Sequence, residues 1–144
     1  MFAPVTQERI EGHLDTLNLT HFRGESDGLT RTGFPGLVCF FQVEDAGFKV
    51  TARWLPICDT NADALELRLV VNELNRSLPL VRVHPVRRED GSTVVLIEAP
   101  FFTSGAVSDE QFAAMIEFYF SAIHHVKAQL EKRLPQLAEK DSTQ

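Results

Sequence analysis

The chain has 144 residues, of which 44% are hydrophobic and 24% charged, and its formal net charge is −6 at pH 7. This length predicts a single domain with a sizeable core, and the acidic balance argues against nucleic acid or an anionic membrane as the partner. No stretch approaches the roughly 18 consecutive apolar residues of a membrane span, and the first residues lack the basic leader and apolar block of a secretory signal. We therefore expect a cytoplasmic protein.

The cysteine usage agrees with that location. Cys39 and Cys58 are the only cysteines, and they lie far apart in apolar surroundings. Two reduced, buried thiols are the usual interpretation of such a pattern in a cytoplasmic protein. A disulfide or a metal site is the alternative.

The first part of the chain predicts a helix followed by short extended segments. Thr6 can cap a helix of about twelve residues, with Ile10 and Leu14 on its apolar face. A short strand at residues 19–23 leads through a polar turn to a weak extended piece at residues 29–32.

Two stronger strands follow. The almost continuous apolar run at residues 37–43 predicts a central strand that is covered on both faces. After a turn at residues 44–47, residues 48–55 alternate cleanly between apolar and polar side chains. Pro56 is expected to end this second strand.

A second helix is predicted from Asp59 or Thr60 to about Ser77. Acidic residues near its start and Arg76 near its end suit the two poles of the helix dipole. Its predicted packing stripe, with two residues that widen it, consists of Leu65, Leu69, Val70, Leu74, Leu67 and Val71.

Two more strands precede the last helix. Residues 80–88 are predicted to form a strand in which Pro85 indicates an edge position or a bulge. Asp90 and Gly91 are typical of a hairpin turn, and residues 92–99 form the partner strand.

The longest predicted helix covers residues 108–134. Ser108 and Gln111 form a capping box at its start, apolar residues recur at steps of three and four along it, and Pro135 ends it. Residues 136–144 are expected to be a polar, frayed tail.

The predicted fold follows from this order, α-β-β-β-α-β-β-α. Hairpin-type connections imply an antiparallel sheet of about five strands, with the helices packed mainly on one face. The fold class is therefore α+β with two layers: a single domain over residues 1–135, followed by the tail at residues 136–144.

No arrangement of residues predicts a catalytic, cofactor-binding or metal site. His124 and His125 are adjacent on a helix and point about 100° apart, so they cannot face one metal ion together. His84 lies on a strand without a second ligand at suitable spacing. No serine has a nucleophile-elbow sequence, and no glycine-rich segment has the lysine of a phosphate-binding loop. We expect no enzymatic activity, no cofactor and no metal.

Aromatic side chains are the unusual feature, since 11 phenylalanines occur in this length. The last helix carries a wider apolar arc than one sheet face can cover. Two interpretations are open: the rings fill the core against Trp54, or part of them meets a second subunit or a client peptide. The candidate protein-binding or dimer surface consists of Phe101, Phe102, Phe118, Tyr119 and Phe120.

Two segments carry a resemblance to a known family. V-N-E-L-N-R at residues 71–76 ends the second helix, and V-S-D-E-Q-F at residues 107–112 opens the last one. With the order of helices and strands, they resemble the YbjN-domain family, bacterial proteins described as sensory transduction regulators. The resemblance covers residues 5–134, although Leu74 stands where relatives carry an aromatic residue and residues 24–36 depart from the family pattern.

The resemblance implies a fold similar to the small dimeric chaperones of type III secretion, which bind extended segments of client proteins. It brings no catalytic residues. Asn72 and Asn75 match the family's Asn-x-x-Asn helix end, where side-chain amides can bond neighbouring carbonyls or a following loop. We expect both to be structural.

These features predict a non-enzymatic, chaperone-like or regulatory protein that forms a homodimer and binds a client or regulatory protein. The alternative is a small-molecule sensor whose pocket is lined by Phe40, Trp54 and Phe102. A third hypothesis is an enzyme of unrecognised type that uses His84 or His124.

Overall fold

The computed structural model describes residues 2–142, which form an α+β fold. Its strands and helices in chain order are β1 (Ala3–Pro4), α1 (Gln7–Thr16), β2 (His21–Arg23), β3 (Thr30–Phe34), β4 (Leu37–Glu44), β5 (Gly47–Cys58), α2 (Asn61–Ser77), β6 (Arg82–Arg87), β7 (Thr93–Phe102), β8 (Ala106–Val107), α3 (Asp109–Arg133) and α4 (Pro135–Ser142).

The described strands form two antiparallel sheets. The main sheet has six strands in the order β2-β3-β4-β5-β7-β6, and β1 pairs with β8 in a small second sheet. The predicted two-layer α+β fold is confirmed, and Pro85 does lie on an edge strand, β6. The sixth strand is the weak extended piece, because β3 pairs along its whole length with β4, from Thr30 opposite Phe41 to Phe34 opposite Leu37.

The helices pack against one face of the main sheet. Alternate residues of β5 point into this contact, and Trp54 is almost fully buried. The predicted stripe of α3 is confirmed, since its buried residues recur at steps of three and four: Phe112, Ile116, Tyr119, Ile123, Val126 and Leu130.

The predicted helix starts are also confirmed. Thr6 and Thr60 accept hydrogen bonds at the N-termini of α1 and α2. Ser108 and Gln111 form both bonds of the capping box. These signals are local, because each needs only a hydroxyl and an amide three residues later.

Strand β5 continues beyond the predicted end. Pro56 was expected to end it, but the strand reaches Cys58, with a register irregularity between Trp54 and Cys58. At such an irregularity one inter-strand hydrogen bond of the ladder is missing, so the sheet can accommodate Pro56, which has no N–H to donate.

Helix α2 is rotated relative to its predicted stripe. Leu67, Val70, Val71 and Leu74 are buried, whereas Leu65 and Leu69 are 64% and 52% exposed. Leucines and valines occupy nearly every turn of this helix, so periodicity alone did not select the face that packs.

The predicted polar tail is largely helical. Pro135 ends α3 as expected, but it also opens α4, a position where its fixed φ and missing N–H are tolerated. Leu137 is buried, and α4 packs on β5 and α3. Residues 143 and 144 of the predicted tail lie outside the described residues.

The two cysteines are buried and are not joined by a disulfide, which agrees with the interpretation as reduced thiols. Cys39 lies opposite Ala52, and Cys58 stands six residues further along β5. Burial raises the pKa of the Cys39 thiol to about 12.

Candidate functional site

The five aromatic residues of the candidate surface do not share one exposed surface. Phe101 and Tyr119 are buried, and Phe120 is half-buried. Phe102 and Phe118 are 75% and 38% exposed, on β7 and on α3 respectively. The candidate surface is thus divided between the core and two separate exposed positions.

The buried members have well-defined core partners. The Phe101 ring stacks on Phe48, with 5.0 Å between the ring centroids. The Tyr119 hydroxyl donates a hydrogen bond of 2.6 Å to the carbonyl of Ile97, and burial raises the pKa of Tyr119 well above its ordinary value. A buried tyrosine needs such an acceptor, so these rings contribute to folding.

Another surface, on the sheet, carries exposed apolar side chains and includes Phe102. We call it the open face: the side of the main sheet opposite the helices, formed by alternate residues of its strands. On β5, buried Val50 and Ala52 point towards the helices, and half-buried Lys49, Thr51 and Arg53 lie on the open face. Because side chains alternate along each strand, pairing extends this assignment across the sheet.

One row of the open face crosses five strands. Strand pairing places Phe22 opposite Arg31, Arg31 opposite Phe40, Phe40 opposite Thr51 and Thr51 opposite Glu98. The Phe22 side chain is 59% exposed on the edge strand β2. An exposed ring of this kind adds apolar area that a binding partner could cover.

The second row has apolar residues on both sides of a cation. Arg53 lies opposite Val38 on β4 and opposite Leu96 on β7, and Leu96 lies opposite His84 on β6. Val38, Arg53 and Leu96 are all half-buried. Val86, on the same side of β6, is exposed.

Arg31 and Phe40 form a fixed pair on the open face. The guanidinium carbon of Arg31 lies 4.7 Å from the centroid of the Phe40 ring, within cation–π range. Asp27 forms an ion pair with the same guanidinium. A backbone hydrogen bond from Leu29 and then the Arg31 charge lower the pKa of Asp27, so the pair stays ionised at neutral pH.

Arg53 has no such partner. The Nε of Arg53, like that of Arg31, is buried and makes no hydrogen bond, but the ion pairs among the described residues include Arg31 and not Arg53. Glu98, a carboxylate of the open face, instead lies 3.9 Å from Lys49 Nζ and 3.8 Å from His84 Nε2. Arg53 is therefore a half-buried cation without a counter-ion among residues 2–142.

Sequence reasoning missed the open face because it interpreted residues 37–43 as a strand covered on both faces. That expectation is wrong: Cys39 and Phe41 are buried beneath the helices, but Val38 and Phe40 are only half-buried and Gln42 is exposed. Arg31 and Arg53, on the neighbouring strands, were the signal that this face is not covered by the rest of the chain. A sheet face that carries charged residues needs contact with water or with a charged partner.

Comparison with known proteins defines the family. The family model YbjN, "Putative bacterial sensory transduction regulator", matches residues 6–132. The chain belongs to the YbjN family. No curated protein matches it.

A solved YbjN structure has a similar fold. The "Crystal structure of YbjN, a putative transcription regulator from E. coli" aligns with a TM-score of 0.73 and 18% identity, covering 92% of this chain and 95% of that chain. At this identity the similarity concerns the fold alone. Within residues 2–142 of this YbjN-family chain, no helix combines the length and apolar character that crossing a membrane requires.

The family segment at residues 71–76 has a structural role in this YbjN fold. Asn75 donates to the carbonyl of Val83 and accepts from its amide, at 2.9 and 2.8 Å, which agrees with its expected role. Asn72 is exposed on the outer side of α2.

The residues of the two rival hypotheses are dispersed in this YbjN fold. Phe40 lies on the open face and Trp54 on the helix side of the same sheet, so Phe40, Trp54 and Phe102 do not line one pocket. His84 is on β6, whereas His124 is on α3 and bonds the Phe120 carbonyl. Among the described residues, no three His, Cys, Asp or Glu side chains are grouped to hold a metal ion.

Proposed function

We propose that this YbjN-family chain is a non-enzymatic regulatory domain that binds another polypeptide through the open face of its sheet. The observation that carries the proposal is the exposed Phe22 ring on the open face, where Arg31 separates it from the half-buried Phe40 two strands away. Large apolar side chains that are grouped on one exposed face mark binding sites.

The energetics favour a partner on this face. Covering apolar surface contributes about 25 cal/mol per Å² removed from water, and aromatic and arginine side chains supply most of the energy of protein interfaces. Phe22, Arg31 and Phe40 are neighbours on three adjacent strands. A rigid sheet also holds these groups in place, so little conformational entropy is lost on binding.

The family resemblance implies a fold similar to type III secretion chaperones, which bind extended segments of clients, and this expectation supports the same function. The family's description as a sensory transduction regulator supplies the setting in which such binding would act. We place the protein in the cytoplasm, where a buried thiol such as Cys39 stays reduced.

Site-specific photocrosslinking tests the proposal. A benzoylphenylalanine replaces Phe22 on the open face or, as the matched control, Phe118, an exposed phenylalanine on α3. In living cells of the source organism, we expect position 22 to crosslink to a discrete second polypeptide and position 118 to give none. Equal labelling at both positions, or no adduct at position 22, would contradict the proposal.

We also propose that the protein forms a homodimer through the outer side of α2. Leu65 and Leu69 are exposed one helical turn apart. In an antiparallel contact between two α2 helices, Leu65 of one copy can meet Leu69 of the other, which is the self-complementary arrangement of a two-fold dimer. A stable interface would bury more than about 1,000 Å².

Sedimentation velocity tests the dimer. We expect a dimer at micromolar concentration, and a monomer when Leu65→Asp and Leu69→Asp are combined. Leu17→Asp, on an exposed leucine at the end of α1, is the control and leaves the dimer intact. A wild-type protein that sediments as a monomer at about 100 μM overturns this assembly without affecting the crosslinking result.

A further inference from the structure

We propose that the open face binds an acidic segment of its partner, with a carboxylate of that segment paired to Arg53. This inference rests on the proposed function, because it names the chemistry of the polypeptide that the open face would bind. It concerns the side chains between β4 and β7, where the second row of the face crosses the sheet.

Arg53 is the residue that requires such a partner. Its Nε is buried without a hydrogen bond, and apolar Val38 and Leu96 are its cross-strand neighbours. A partly desolvated charge without a counter-ion is costly. A guanidinium matches the two oxygens of a carboxylate and can bond both, so an incoming Asp or Glu would satisfy a group that the described residues leave unsatisfied.

The distribution of charge points to the same chemistry. The whole chain carries 20 acidic and 14 basic residues, yet the open face presents the carboxylate of Glu98 together with four cations: Arg31, Lys49, Arg53 and Arg82. The ion-pair contacts of Glu98 are with Lys49 and His84, and none with Arg53 is present among the described residues. A cationic face on an acidic protein attracts acidic segments and disfavours basic ones.

The pattern of the face also fits an extended segment. Apolar and cationic side chains alternate from strand to strand, as in Phe22, Arg31 and Phe40 and again in Val38, Arg53 and Leu96. Strands lie about 4.8 Å apart and an extended chain advances about 3.3 Å per residue, so roughly seven residues span the sheet. In an extended segment only every second side chain points to the same side, so a segment whose facing positions alternate between carboxylates and apolar side chains is complementary to both groups of sites.

Peptide titration followed by NMR tests the inference. The probe is a capped peptide of roughly eight residues, long enough to span the sheet, in which every second residue alternates between Asp or Glu and Leu or Phe, and the residues between them are Ser. A second peptide carries Asn and Gln at the acidic positions, and a third carries Lys. Each is added to the full-length, isotope-labelled protein and to Arg53→Met, which keeps the apolar stem and removes the charge.

Two further variants control the result. Arg53→Lys keeps the charge but not the two-pronged geometry. Arg68→Met removes an exposed cation from α2, far from the open face in the two-layer fold. Circular dichroism and the fluorescence of the buried Trp54 establish that each variant is folded.

We expect the acidic peptide to shift amide resonances of β4, β5 and β7, with an affinity that falls as salt is added. Arg53→Met should weaken the affinity for the acidic peptide about tenfold, and Arg53→Lys should weaken it by a smaller factor. Arg68→Met should leave this affinity unchanged. Equal binding of the acidic and neutral peptides would overturn the acidic preference but leave polypeptide binding intact. Failure of every peptide to shift open-face resonances would count against both proposals. Concentration-dependent shifts at Arg53 without peptide would identify a second copy as the occupant and overturn the inference.

Discussion

Asn75, at the end of α2, is bound to Val83 through both backbone groups of that residue: the carbonyl accepts from the Asn75 amide at 2.9 Å, and the Val83 N–H donates to Asn75 Oδ1 at 2.8 Å. Val83 lies on β6, an edge strand that has β7 on one side only. The Asn75 side chain bonds the two backbone groups of Val83 that a further strand would otherwise bond, and it thereby links α2 to the sheet.

Asn75→Ala removes both bonds at once. Because the Val83 groups are part-buried, we expect the free energy of unfolding to fall by about 1–3 kcal/mol. Asn72→Ala, three residues earlier on the exposed side of α2, is the matched control and should change it by less than about 0.5 kcal/mol. Urea denaturation followed by Trp54 fluorescence measures both. Equal effects of the two substitutions would contradict the assigned role.

Replacing glycine by alanine should change the stability in opposite directions at two positions. A Cβ on Gly47, in the turn between β4 and β5, would lie 1.8 Å from the Phe101 carbonyl oxygen, so Gly47→Ala should destabilise the protein by about 1–3 kcal/mol or more. Gly12 lies inside α1 with open space around it, and Gly12→Ala should stabilise by about 0.5–1 kcal/mol. Thermal unfolding measures the two shifts, and shifts of the same sign would be inconsistent with this packing.

Acid should weaken the contact between α1 and β2. Hydrogen bonds from Arg23, with a further one from Thr30, lower the pKa of Glu11 from 4.5 to about 2. A carboxyl whose pKa is lower in the folded state stabilises the protein above its unfolded pKa, and that contribution is lost as the pH falls towards about 2.

Glu11→Gln tests this dependence. The difference in unfolding free energy between wild type and Glu11→Gln should be largest at neutral pH and shrink progressively below pH 4.5. Glu25→Gln, in an exposed turn, provides the control at each pH. A difference that is constant from pH 7 to pH 2.5 would exclude the Arg23 contact as its source.

Cys39 should resist alkylation in the folded protein. Its thiol is buried and burial raises its pKa to about 12, so almost no reactive thiolate is present at pH 8. We expect iodoacetamide to modify Cys39 only in urea, as read by peptide mass spectrometry. Modification of the native protein within minutes would show that β4 opens readily.

Local chemistry made much of the fold predictable. Ser108 and Gln111 specify the start of α3 because the capping box is complete within four residues. The alternation from Phe48 to Trp54 specifies which side of β5 is buried, since the side-chain period of a strand has only two outcomes.

The candidate site was less predictable, for reasons seen in particular residues. Leu65 and Leu67 are equally apolar, but only Leu67 packs. Phe101 and Phe102 are neighbours in sequence and lie on opposite sides of β7, one buried and one exposed. The aromatic residues, which are close together in sequence, therefore suggested one surface, whereas the fold divides them between its buried core and its exposed surface.

The sequence by itself determined the capped helices, the alternating strands, the hairpins and the membership of a family, because all of these depend on residues close together along the chain or on their order. The tertiary structure alone decided that the far side of β4 stays open, that Arg53 lies between Val38 and Leu96 without a counter-ion from residues 2–142, and that Asn75 meets Val83. Those outcomes depend on which strands pair and which apolar side the helices cover, and such long-range choices have no local signal when several segments are equally hydrophobic.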